Sequence, residues 1–106
     1  MKTNELTGVA LDWAVAEAEG HDFPAADAFC GIFNPSTDWA QGGPIIERWM
    51  IDCDTYRHGW RAARHVSTTP TYGYGPTPLI AAMRCYVASK LGEEVDVPEL
   101  LQGESK

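Results

Sequence analysis

The chain has 106 residues and a formal net charge of −7. That charge argues against a general nucleic-acid binder, because neutralising phosphates needs a basic face. No apolar run approaches the ~20 residues needed to cross a bilayer, so no membrane contact is expected. The length predicts a single domain, 1–106, with a core that needs no staples. Cys30, Cys53 and Cys85 are an odd set without CxxC spacing. With no signal peptide, they predict free thiols in a reducing bacterial cytoplasm.

Taken in order, residues 1–6 read as a frayed start. Residues 7–19 read as a first helix, with Thr7 as a possible cap and Leu11, Ala14, Val15 and Ala18 on a narrow apolar stripe flanked by Trp13. A loop follows, and residues 29–33 are short and apolar enough for a strand. Asn34-Pro35 marks a turn, and Ser36, Thr37 and Asp38 all suit a helix start. Residues 36–49 are ambiguous. Trp39, Ile45, Ile46 and Trp49 can share a helical face, yet Gly42, Gly43 and Pro44 lie between them. Either one kinked helix runs through, or a turn ends near Gly43 and a second helix restarts at Pro44.

Residues 50–56 and 60–67 read as two strands reversed at His58-Gly59. In the second strand, Arg61 and Arg64 fall in opposite phases and so on opposite faces. Residues 67–75, rich in Thr, Pro and Gly, read as a loop. Residues 77–92 form the best-signalled helix: Thr77 caps it, Pro78 takes its first position and Gly92 ends it. Leu79, Ile80, Met83, Val87 and Leu91 make its apolar stripe. The acidic tail, residues 93–106, is expected to be ordered at first and frayed over 99–106. This order predicts an α+β fold: a small, mainly antiparallel sheet sandwiched by three helices, an α-β-α sandwich.

Three blocks carry a family resemblance: LTGVALDWAVAEAEG (residues 6–20), PSTDWAQGGPIIER (35–48) and GPTPLIAAMRCYVASKLGEEVDVP (75–98). Together they resemble the NinX-like proteins of lambdoid and related phages, encoded among the accessory genes of the nin region. A weaker, pattern-level similarity runs to small phage proteins with an α-β-α sandwich domain. The resemblance implies a phage accessory protein, supports the sandwich and favours one kinked helix over residues 36–49. It brings no reaction with it.

Three groups of residues could carry chemistry. Asn34, Ser36, Thr37, Asp38, Trp39 and Gln41 gather hydroxyls, an amide and an indole at a helix start, which can hold an anion; a capped helix with a packed indole explains them equally well. Arg57, His58, Arg61, Arg64 and His65 form the only basic cluster, with Trp60 inside it. It could grip a phosphate while the indole stacks on a base, or be a solvated hairpin paired with the surplus acids. Tyr72 and Tyr74 could line a pocket or an interface, or cover the core. No metal site is expected, since Cys53 and His58 have no second pair at ligand spacing, and no cofactor is expected.

With no nucleophile or paired carboxylates evident, the leading expectation is a non-enzymatic accessory protein that binds a host or phage protein. A sponge for a small nucleotide, such as a host defence signal, is the alternative, built from these three groups. A small enzyme of nucleotide metabolism carries least weight. The aromatic content also allows a homodimer.

Overall fold

A computed structural model describes residues 1–21, 32–65 and 70–102. A 3-10 turn at Thr3–Glu5 precedes helix α1 (Gly8–Ala18) and helix α2 (Trp39–Arg48). Strands β1 (Ile51–Tyr56), β2 (Gly59–Arg64) and β3 (Thr71–Gly75) come next, then α3 (Pro78–Leu91) and a single turn, α4 (Glu99–Gln102). The strands form one antiparallel sheet in the order β1-β2-β3. The α+β class, with helices packed on a small antiparallel sheet, is the one expected; among the described residues the helices lie on one face of that sheet, where the expected sandwich has them on both.

The hairpin register places the turn. Tyr56 pairs with Gly59 and Asp54 with Arg61, so the reversal falls on Arg57 and His58, one residue earlier than expected. Arg57 adopts φ +58° there. A two-residue hairpin needs such positive φ values, and an arginine tolerates them less readily than glycine. Gly59 is held in the strand for another reason: a Cβ there would lie 2.9 Å from the Gly75 carbonyl oxygen.

The third strand lies in a segment read from sequence as loop. Thr-Tyr-Gly-Tyr-Gly is unattractive as a strand because glycine has no side chain to pack. Its glycines serve the helix above. Cys53, Ala62 and Gly73 align across the three strands on the face that α3 covers. A Cβ on Gly73 would sit 2.3 Å from the Cys85 backbone nitrogen and 2.4 Å from the Ala81 carbonyl oxygen. Helix and strand therefore touch backbone to backbone. The strand expected over residues 29–33 does not form at Ile32 and Phe33, which bend; residues 29–31 lie outside the described residues.

Helix α3 is the centre of the molecule. It begins with the Thr77 hydroxyl accepting the Ile80 N–H at 3.1 Å and ends at Gly92, whose φ of +95° suits glycine. The sheet lies on one side of it, α1 on another, and α2 packs against it beside β1. Leu79, Ala81, Ala82, Met83, Cys85, Tyr86 and Val87 are all buried. The five-residue stripe read from sequence is thus too narrow on two sides and too long at its end, where Leu91 is exposed. A helix enclosed on several sides shows little amphipathic contrast.

Helix α2 runs unbroken through Gly42, Gly43 and Pro44. Asp38 is its cap, accepting the Ala40 N–H at 3.0 Å. Pro44 leaves the Ala40 carbonyl without its helical donor. Packing outweighs that loss: Ile45 is buried, and a Cβ on Gly42 would come within 2.5 Å of Leu79 and of the Pro35 carbonyl. Gly43 is different: beyond its chain neighbours and its own helix backbone, the nearest atom to a Cβ is a Trp39 ring carbon 4.0 Å away. It also precedes Pro44, whose Cδ crowds a Cβ on the helical residue before it. Gly43→Ala should therefore not bring the ~0.5–1 kcal/mol that helix propensity would otherwise give, and is expected to be neutral or destabilising. Urea titration checks this; a variant stabilised by the full ~1 kcal/mol would show that Pro44 does not crowd the position.

Residues 1–6, expected to fray, are held. Met1 donates its ammonium to the Val95 carbonyl at 3.0 Å, and the Thr3 N–H reaches the Glu93 carbonyl at 2.8 Å. Leu6 is fully buried, and its apolar side chain supplies the reason. Arg84 locks this segment further, donating to the carbonyls of Leu6 (2.8 Å) and Tyr74 (2.6 Å). Within the tail, α4 likewise buries Leu101 rather than fraying. Thr7 takes the N-cap position of α1, but its hydroxyl makes no capping bond. No helix among the described residues is long and apolar enough to cross a membrane.

Candidate functional site

The groups singled out in the sequence separate into three places. The first, Asn34 to Gln41, is closed on itself. Gln41 is its hub: its amide oxygen accepts the Asn34 N–H at 2.8 Å, and its amide nitrogen donates to Ile32, Asn34 and Asp38. The Asn34 side chain donates to the Thr37 hydroxyl at 3.3 Å. Ser36 is buried, and its N–H reaches the Asp12 carboxylate of α1 at 2.9 Å. Burial raises the Asp12 pKa, and the hydrogen bond from the Ser36 N–H holds it back in part. The α2 N-terminus is occupied by the Asp38 carboxylate, so an incoming anion would meet a like charge there. Trp39, expected to pack, is 55% exposed.

The second place is on the helix-covered face of the sheet. The Arg64 guanidinium lies 4.5 Å from the Trp49 ring centroid and donates to the Ser89 hydroxyl at 2.9 Å. Lys90 approaches the same ring at 4.0 Å. Trp60 is partly buried against the core. These side chains hold α2, α3 and β2 together. Nearby, the Tyr86 hydroxyl donates to Glu19, whose carboxylate also meets Arg48 at 3.2 Å. Burial is the main cause that drives the Tyr86 pKa up. Cys85, on the sheet side of α3, is pushed up to about 12 chiefly by burial, which makes it a packing residue rather than a nucleophile.

The third place is the opposite face of the sheet, where no described helix lies. Tyr72 and Tyr74 alternate with the glycines of β3 and project there, joined by Arg61 of β2 and by Asp52, Asp54 and Tyr56 of β1. Tyr56, Tyr72 and Tyr74 are 36%, 39% and 36% exposed. Their rings adjoin, with centroids 5.3 Å apart for Tyr56 and Tyr74 and 6.4 Å for Tyr72 and Tyr74. Arg61 runs between them, 5.1 Å from the Tyr56 centroid and 5.7 Å from that of Tyr72, and binds Asp54 at 2.8 Å. Arg57 covers Tyr56 from the hairpin at 5.3 Å. This is a continuous aromatic and guanidinium surface, held by its own cation–π contacts.

Of the expected residues, Arg57, Arg61, Tyr72 and Tyr74 therefore come together. Arg64 and Trp60 face the other way, and Asn34, Ser36, Thr37, Asp38, Trp39 and Gln41 belong to the helical side. Sequence reading missed Tyr56 and its acidic neighbours. The signal lay in the register: a turn at Arg57-His58 sets Tyr56 opposite Gly59, which leaves room for both the ring and the Arg61 side chain.

Along the outer edge of β3 the surface continues into a cavity of about 570 Å³. Tyr72 and Tyr74 line it on one side; Lys2, Asn4, Glu93 and Glu94 are among the residues opposite.

Sheet, helical layer and open aromatic face define a small α+β protein that exposes an aromatic and guanidinium surface on its sheet. The family model described as Bacteriophage P22, NinX matches residues 2–90, and the chain belongs to that family. It is accordingly a phage accessory protein. Comparison with curated proteins gives no match.

Proposed function

We propose that this accessory protein acts by binding a host or phage protein through the open face of its sheet. One observation carries the reading: Tyr56, Tyr72 and Tyr74 form a half-exposed array with Arg57 and Arg61. Tyrosine and arginine are the residues that protein interfaces concentrate, because each buries a large contact area while keeping a directional polar group. The contacts that Arg61 makes with Asp54 and two rings hold it ready, which lowers the ordering cost of association. The nucleotide-sponge reading asks the 34–41 loop and Arg64 to share one pocket with Arg57, Arg61, Tyr72 and Tyr74, whereas the loop and Arg64 lie on the helical side and the other four on the open face.

The test uses tagged protein from infected cells, compared with Tyr56→Ala and Arg61→Ala. Each side chain is about one-third exposed and makes ring, cation–π or ion-pair contacts, so each variant should lose stability, about 1–2 kcal/mol for Tyr56→Ala, and remain folded. A polypeptide held in fixed ratio by the parent should bind each variant at least about tenfold more weakly. A polypeptide retained equally by both variants would place the interface elsewhere. A small molecule retained in native mass spectra, with no polypeptide, would favour the sponge.

A further inference from the structure

The geometry points to β3 as the strand that a partner extends: an extended, positively charged segment of the bound protein pairs with the free edge at Tyr72 and runs through the adjoining cavity. This rests on the protein-binding reading and names how the partner is held. The decisive groups are on the backbone. At Tyr74, both polar groups leave the sheet: its N–H donates to the Asn4 side-chain oxygen at 3.1 Å, and its carbonyl accepts from Arg84 at 2.6 Å. Tyr74 is therefore a non-hydrogen-bonded partner of Arg61 in the ladder. Hydrogen-bonding direction repeats every second residue in a strand, so Tyr72, opposite Ala63, also turns its N–H and carbonyl outward. Tyr74 has Asn4 and Arg84 as partners. Tyr72 has none among the described residues, and its outer edge lines the cavity.

An uncovered strand edge is a template for another strand, and proteins usually block it. Here Asn4 blocks it at one residue and leaves a recess of about 570 Å³ at the next. Volumes of this order hold several side chains. Charge selects the segment. Glu93 and Glu94 line the recess against a single lysine, Lys2, and the whole chain carries −7. Lysine or arginine side chains on the incoming strand meet favourable charge and two tyrosine faces.

The probe is the peptide acetyl-Lys-Val-Lys-Val-Lys-amide, added to isotopically labelled full-length protein while amide exchange is followed by NMR. In the free protein the Tyr72 amide should exchange far faster than that of Gly73, which points into the ladder. With the peptide, Tyr72 exchange should slow about tenfold or more. The same peptide with its central amide N-methylated, and the analogue with Glu for Lys, should leave it unchanged. Unaltered Tyr72 exchange at millimolar peptide, or equal protection by all three peptides, would overturn the inference. The two readings fail separately. Loss of a partner with Tyr56→Ala and Arg61→Ala, but no Tyr72 protection, leaves the face and removes the edge. Protection by the lysine peptide with a partner indifferent to those variants does the reverse.

Discussion

Gly73→Ala should cost about 3 kcal/mol or more, the largest effect expected of so small a change. The added carbon would meet the backbone nitrogen and Cα of Cys85 and the Ala81 carbonyl, all within 2.8 Å. Overpacking against side chains costs typically ~1–3 kcal/mol, because a rotamer can give way. Here the obstacles are the α3 backbone, so the helix itself must lift from β3. Lifting it loosens the bond from the Cys85 thiol to the Thr71 carbonyl, 3.3 Å long, and the burial of Ala62 beneath. Against a total stability of ~5–15 kcal/mol for a domain, the loss is a large fraction. Melting should fall by about 12 °C or more, at ~4–8 °C per kcal/mol for a chain of this size. Thermal unfolding by circular dichroism measures it, and a variant melting within a few degrees of the parent would show that α3 and β3 do not touch as described.

Met83→Asp should leave little folded protein at neutral pH. Met83 is fully buried in the cluster that joins α1, α3 and the sheet. Burial can shift a carboxyl by ~3–5 pKa units, each worth about 1.36 kcal/mol, and the lost apolar side chain adds ~1.5–3 kcal/mol. The sum reaches the stability of an ordinary domain. Burial raises the folded-state pKa of the introduced carboxyl, so the deficit shrinks on acidification. Met83→Leu keeps the volume and should cost less than ~1.5 kcal/mol. Near-parental melting of the aspartate variant at neutral pH would mean that water reaches this position.

What the sequence disclosed depended on whether the signal was local. The caps of α3 at Thr77 and Gly92 involve neighbours in the chain and were legible; for α2, Ser36, Thr37 and Asp38 all suited the cap, and the fold selects Asp38. The continuity of α2 was left open by the residues themselves and favoured only by the family resemblance, because Gly42 is required by Leu79 and Pro35, which come from other parts of the fold. Strand β3 was hidden for the same reason: its glycines are poor strand formers alone and become necessary only under α3. The turn was misplaced because Gly59 looks like a turn residue, while its smallness is used against Gly75 across the ladder. For the candidate site, alternation along β2 separated Arg61 from Arg64 in advance. The association of Arg61 with Tyr56, Tyr72 and Asp54 needed the register of three strands, which no single stretch encodes.

The segment joining Met1 and Thr3 to Gly92 and Val95 bears on how the chain reaches this state. Its bonds close loops of 94 and 89 residues. Contacts this distant in sequence form late, since chain entropy must be lost before they contribute. During synthesis, Leu6 has no complete site to enter until α3 and the residues just after it have left the ribosome. The hairpin and α3 can assemble first, as their contacts are nearer in sequence. Until the first residues return, the outer edge of β3 stays uncovered at Tyr74 as well as at Tyr72. The nascent protein thus passes through a stage with a longer open strand edge than the finished one, a stage at which mispairing competes with closure.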